Sequence, residues 1–239
     1  MPWWTALRSL PEAARPATAA FVPEESGQDG GPEAQECRAA GGWLAAVLGR
    51  PPEAHEEATA RLTLALAHHA GEVRDGAALR RAVWAGMLHD IGKSVVDPRI
   101  LNKPAPLTPA ERAVIQRHPS VGHRLATTAP QMDPGALTAV LYHHERWDGE
   151  GYPVGLIGES IPVLARILSI ADVYDALSRE RPYRPAWTPA EATGYLRRHA
   201  GTAFDPRLVE LFVEKVLPEL ATPELAAPEP APNPVLPDL

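Results

Sequence analysis

The pattern that most restricts how this chain folds is a repeated helix-start cassette. Thr108-Pro109-Ala110-Glu111 and Thr188-Pro189-Ala190-Glu191 each put a hydroxyl at the N-cap, proline at the first helical position and glutamate three residues after the cap. Asp133-Pro134 and Asp205-Pro206 are two more starts of the same kind. Strand-like alternation of apolar and polar residues is absent. The expected fold class is therefore all-α, a helical bundle with irregular loops, with no internal repeat beyond the shared caps.

Apolar periodicity agrees with those starts. From about Glu53 to Ala70, Ala58, Thr59, Leu62 and Leu66 fall at helical spacing, and His55, seven residues before Leu62, shares their face. Leu79, Val83, Gly86 and Met87 form a second inward stripe that delivers His89 and Asp90 to a helix end, where Gly92 is positioned to close it. Further helices are expected over Leu107 to Arg117, Pro119 to Thr127, Pro134 to Glu145, Pro162 to Arg179, Pro189 to His199 and Pro206 to Leu217. A lead helix, Glu36 to Leu48, carries Trp43, Leu44, Val47 and Leu48, and either caps the bundle or pairs with a second copy as a homodimer. Residues 1–35 read as irregular, 36–219 as one domain, and 220–239 as a tail whose six prolines preclude a useful helix.

Composition excludes several functions. A formal charge of -7 and a pI near 5.7 argue against a DNA or general phosphate-backbone binder, which needs a cationic surface. No apolar run approaches the roughly 20 residues of a membrane helix. The stretch from Ile161 to Leu177 is broken by Pro162, Arg166, Asp172 and Asp175. The single cysteine, Cys37, rules out an intramolecular disulfide and suits a reducing compartment. A soluble, cytoplasmic protein is expected.

Two doublets carry the chemistry, His89-Asp90 and His143-His144, separated by an isolated His118. Neighbouring helical side chains point about 100° apart, so two in a row cannot face one apolar layer. Both can reach an ion at a helix end. Imidazole nitrogen with carboxylate oxygen suits first-row metals, and a carboxylate beside a histidine can bridge two ions.

The strings HDIGK (His89 to Lys93), ILNKP (Ile100 to Pro104), HHERWDGEGYP (His143 to Pro153), ADVYDALS (Ala171 to Ser178), RPYR (Arg181 to Arg184) and FDP (Phe204 to Pro206) together resemble the HD-GYP family. Its members are phosphodiesterases of the HD superfamily of metal-dependent phosphohydrolases, acting on cyclic di-GMP. The resemblance runs from about residue 53 to 215. It implies a metal set of His55, His89, Asp90, His118, His143, His144 and Asp172, with Asp90 as the bridging carboxylate. Around His55 the serine and arginine usual in the family are replaced by Glu56 and Ala58. Pro51 stands where some members carry a glutamate for a third ion, so a binuclear site is expected. Iron or manganese suits the donors best, with zinc, magnesium, nickel and cobalt also compatible.

The remaining residues take roles around that centre. Lys93, three residues past Asp90, can hold a phosphate oxygen, and Arg181 with Arg184 can clamp the other phosphate or a guanine edge. Asp175, one turn after Asp172, either orients a ligand imidazole or donates a proton to the leaving group. Tyr152, in a glycine-rich loop, either packs as part of a tight turn or touches substrate. His68, His69, His123 and His199 fall outside the family positions and read as ordinary histidines, while Trp84, Trp147 and Trp187 read as packing or pocket wall.

The implied reaction is hydrolysis of cyclic di-GMP to pGpG by a metal-bridging hydroxide, with further cleavage to GMP left open. The competing readings are a hydrolase of another cyclic dinucleotide or nucleotide, and a non-catalytic cyclic di-GMP receptor. About 50 residues precede His55, too few for a receiver domain, so control is expected from a separate regulatory or diguanylate cyclase partner, or activity is constitutive.

Overall fold

Each proline-marked start begins a helix in the computed structural model, which describes residues 32–129, 132–180 and 185–220. The helices are α1 (Pro32–Leu48), α2 (Ala54–His69), α3 (Gly76–Leu88), α4 (Pro98–Leu101), α5 (Pro109–Ile115), α6 (His118–Ala126), α7 (Pro134–Tyr142), α8 (Val163–Ser178), α9 (Pro189–Arg198), α10 (Pro206–Leu211) and α11 (Leu217–Leu220). Among the described residues there is no strand, only an isolated bridge between Ala200 and Phe204. Both threonine cassettes close as full capping boxes, and Asp133 and Asp205 accept from the first backbone amides of α7 and α10.

The bundle is built around α2 and α3, which approach unusually closely because Gly86 has no side chain. A Cβ there would stand 2.4 Å from Ala60 Cα. Leu64, Leu66, Leu79, Leu88, Ile167, Leu168, Ile170 and Phe212 are fully buried about this contact. Each contributes about 1.5–3 kcal/mol by leaving water, and together they hold the frame on which the polar groups are hung. Arg166 on α8 donates to Asp205 at 2.5 Å and to the Ile161 carbonyl at 2.9 Å, tying that helix to the cap of α10.

Several boundaries differ from the sequence expectation, each for a local reason. The lead helix begins at Pro32 rather than Glu36, overlapping the segment expected to be irregular. It packs on α3, with Trp43 and Trp84 ring centroids 6.4 Å apart and the Trp84 indole N–H donating to Glu36, so it caps the bundle. Helix α7 stops at Tyr142 instead of Glu145, which leaves His143 and His144 in the following turn. The last long helix breaks at Leu211 into a π turn, Phe212–Val216, before α11. The rest of the irregular segment, 1–31, and the proline-rich tail from 221 lie outside the described residues. None of the described helices is long and apolar enough to cross a membrane.

Gly86→Ala forces α2 and α3 apart against a packed core. We expect a loss of about 1–3 kcal/mol in chemical denaturation, the usual cost of overpacking.

Candidate metal centre

Five elements converge at one end of the bundle. His55 comes from the first turn of α2, His89 and Asp90 from the end of α3, His118 from the start of α6, His143 and His144 from the turn after α7, and Asp172 from α8. Gly92 sets this convergence, though not by simply closing α3 as the sequence suggests. It lies in a 3-10 turn, Ile91–Val95, pressed so tightly on α6 that a Cβ would stand 2.0 Å from the His118 carbonyl oxygen and 2.6 Å from the Gly122 nitrogen. That close approach brings His118 to Asp90.

The two oxygens of Asp90 face different neighbours. Oδ1 is 3.2 Å from His118 Nε2, while Oδ2 is 3.4 Å from His89 Nε2 and 3.9 Å from His55 Nε2. Asp172 Oδ1 closes the second side at 3.3 Å from His55 Nε2 and 3.6 Å from His89 Nε2. On the first side His118 Nε2 and His143 Nε2 stand 3.3 Å apart, and the His118 and His144 rings 4.9 Å apart. The described residues thus offer two groups of donor atoms, Asp90 with His118, His143 and His144, and His55 with His89 and Asp172.

Hydrogen bonds fix which nitrogen of each ring faces the pocket. Nδ1 of His89, His118 and His143 lies 2.7–2.8 Å from the carbonyl three residues earlier, those of Gly86, Ile115 and Val140. A carbonyl only accepts, so Nδ1 carries the proton and Nε2 keeps its lone pair for the pocket. His55 has no such carbonyl. Its Nδ1 donates instead to Asp175 Oδ2 at 2.6 Å, Arg179 Nε donates to the same oxygen, and Arg179 Nη2 donates to the Ala54 carbonyl at 2.5 Å.

Electrostatics shift the members of the cluster in opposite directions. Burial, with His144 and His89 nearby, pushes His143 well below the usual imidazole range, and burial pushes His144 down to about 4. Burial also opposes charge on His89 and His55, but the carboxylates beside them outweigh it and hold both above 6.5. Asp90 and Asp172 are likewise held well below the carboxylate range despite burial, by His89 with Lys93 for the first and by His55 with His89 for the second. Asp175 is lowered against burial by His55 and Arg179. An ionised Asp175 carries no proton for a leaving group.

The donor set fits a divalent cation. His89 Nε2 and Asp90 Oδ1 are buried and meet no hydrogen-bond partner of good geometry. Leaving such atoms unsatisfied costs about 1–3 kcal/mol each, a cost that an ion between them removes. Lys93 approaches the same carboxylate, its ammonium 2.5 Å from Asp90 Oδ2. Tyr152 lies flat on His144, ring centroids 4.9 Å apart and planes 24° from parallel, and burial pushes its hydroxyl pKa up, so it stays protonated.

Other sequence assignments fall elsewhere. Arg181 and Arg184 lie outside the described residues. His68 and His69 sit at the far end of α2, where His69 meets Glu219 at 3.1 Å, and His199 bonds the Tyr195 carbonyl. Sequence reasoning gave no part to Glu145 and Arg179, which touch the elements of this pocket. Acidic and basic residues are surface residues by default, and nothing local marks these two as exceptions.

The HD domain family model matches residues 46–208. This chain belongs to the HD domain family. The protein named "Cyclic di-GMP phosphodiesterase response regulator RpfG", from Xanthomonas campestris pv. campestris, is 42% identical over 170 residues, covering 68% of this chain and 45% of that protein. "Cyclic di-GMP phosphodiesterase PA4108" from Pseudomonas aeruginosa is 43% identical over 162 residues, covering 68% of this chain and 38% of its own length. The chain thus spans less than half the length of either relative. The HD domain fold recurs in Bd1817, an HDG"Y"P protein from Bdellovibrio bacteriovorus, with a TM-score of 0.56 and 19% identity over 85% of this chain and 68% of that one.

Gly92→Ala tests the convergence directly. The added methyl must separate the 3-10 turn from α6, so we expect about 1–3 kcal/mol of destabilisation. A crystal structure of the variant should show Asp90 Oδ1 further from His118 Nε2 than in the parent.

Proposed function

We propose that this chain is a divalent-metal-dependent phosphodiesterase that opens cyclic di-GMP to linear pGpG. The observation that carries the proposal is the division of Asp90, one oxygen toward His118 and the other toward His89 and His55. In this reading Asp90, His118, His143 and His144 hold one ion, His55, His89 and Asp172 hold a second, and Asp90 serves both. Iron or manganese is the first choice for such nitrogen and oxygen donors. When bound, the ions supply Lewis acidity at the phosphodiester and generate a nucleophile from water at neutral pH. The names of the 42–43% identical relatives support cyclic di-GMP as substrate.

The chain's own residues prepare the rest. Carbonyls hold three imidazoles in the ligating tautomer, and Asp175 does the same for His55. Lys93 puts a positive charge beside Asp90, where a non-bridging phosphate oxygen can share it. Tyr152 forms a flat wall next to His144, suited to a purine face. Arg181 and Arg184 are assigned to the second phosphate or a guanine edge on their sequence spacing.

The test is elemental analysis of anaerobically purified protein, paired with hydrolysis of cyclic di-GMP beside 3′3′-cGAMP and cyclic di-AMP. We expect about two ions per chain and turnover of cyclic di-GMP above the other two. His89→Ala and Asp90→Ala should each lower metal content and cut turnover by about 100-fold or more, since even outer partners of a ligand are worth 10–100-fold. Metal and turnover that survive both substitutions would sink the assignment. Faster turnover of another dinucleotide would replace the substrate and keep the site.

Asp175→Asn separates orientation from ligation. Calorimetric titration with Mn²⁺ should show affinity lowered by about 10–100-fold, whereas His123→Ala should leave it unchanged.

A further inference from the structure

Glu145, directly after the His143-His144 doublet, is only 3% exposed, yet among the described residues no cation pairs with it. Its carboxylate is satisfied by backbone alone. Val154 N donates to Oε1 at 2.7 Å, Gly155 N to both oxygens at 3.1 and 3.0 Å, and Leu156 N to Oε2 at 2.9 Å. Three successive amides aimed at one buried anion form a nest, the arrangement that makes such burial tolerable. Here the anion belongs to the protein, so the nest works as a latch on the loop that supplies it.

The latched loop leads straight back to the candidate centre. Tyr152 N donates to the His144 carbonyl at 3.1 Å, and its ring stacks on the His144 imidazole. Gly151 lies so close beneath that a Cβ would stand 2.3 Å from Arg146 N and 2.5 Å from Glu145 Cα. Apart from Leu156, which packs partly buried against the core, apolar burial does little to keep the tip of this loop in place, because Val154 and Ile157 are 63% and 65% exposed. The charge-assisted bonds to Glu145 are the stronger tether there.

We propose that Glu145 is a positioning residue that sets substrate affinity by holding residues 151–156 so that Tyr152 forms a fixed wall of the cyclic-dinucleotide pocket. This rests on the hydrolase reading above. His89, His118 and His143 are oriented by carbonyls and His55 by Asp175, so the latch acts on the wall beside His144 and leaves these four alone. Glutamine is isosteric with glutamate but turns an NH₂ donor toward amides that need an acceptor, which opens the latch with little change of shape.

In Glu145→Gln, hydrogen exchange should show protection lost at Val154, Gly155 and Leu156, with metal content at the parent level. KM for cyclic di-GMP should rise about 10-fold while kcat stays within about 2-fold, the pattern of lost uniform binding. Combined with Tyr152→Ala, the variant should show the KM of Tyr152→Ala alone, because both changes remove one wall. An unchanged KM despite lost protection would overturn the proposal, as would kcat and metal content falling together. If Glu145→Gln does not fold, Gly151→Ala lifts the same loop from beneath and must raise KM likewise, and an unchanged KM there is equally fatal. A parent protein that hydrolyses no cyclic dinucleotide would instead defeat the hydrolase reading, and the exchange data would still report whether the latch exists.

Discussion

Everything at the open end of this bundle depends on burying the Asp90 carboxylate among imidazoles. Taking an ionised carboxylate out of water costs several kcal/mol, and surrounding charges rarely return more than that cost. Such a cluster is a poor source of stability. The apolar layer behind it must therefore hold the frame, with Leu79, Leu88, Ile167 and Leu168 fully buried and α2 laid against α3 at Gly86. The cluster is then held open, its nitrogens and oxygens 3.2–3.9 Å apart. That spacing is too long for good hydrogen bonds across most of it and short enough for shared cations. The apolar core bears the strain of keeping like groups together.

Two devices choose the tautomers, and their difference follows from position along a helix. His89, His118 and His143 each follow a helical turn or the tail of one, so a carbonyl three residues back is at hand. His55 stands in the first turn of α2, where the residues before it have not yet entered the helix. No carbonyl is available there, and α8 sends Asp175 in its place. Arg179 then ties the pair by reaching both Asp175 and the Ala54 carbonyl. The histidine whose surroundings depart most from the family pattern is thus the one anchored from another helix.

What could be read from sequence and what could not divides along the same line. Caps are local chemistry, so Thr108, Asp133, Thr188 and Asp205 marked their helices without knowledge of the fold. The doublets were legible because adjacent polar ligands make no sense as packing. Gly92 was visible as a helix-closing glycine but not for its purpose, since closeness to His118 is a property of two segments and a helix stop is a property of one. The early end of α7 escaped notice because residues 143–145 carry no helix breaker, and only tertiary contacts turn His143 and His144 into the pocket. Glu145 was hidden for the opposite reason, because a buried carboxylate is recognised by its donors, and those are backbone amides nine to eleven residues ahead.

The arrangement has a consequence for how the site can vary. Groups that face the candidate ions are fixed by helix ends and by a glycine contact in the core, where a change of one methyl is felt. The Tyr152 ring, the proposed wall, sits on a loop with exposed Val154 and Ile157, fastened through the Glu145 carboxylate and the Leu156 side chain. Under the proposed function, rigid donors with an adjustable wall would let one centre accept different ring faces without rebuilding its ligands. If the proposed hydrolase reading holds, changes of substrate preference fall at residues 145–157 sooner than at the imidazoles.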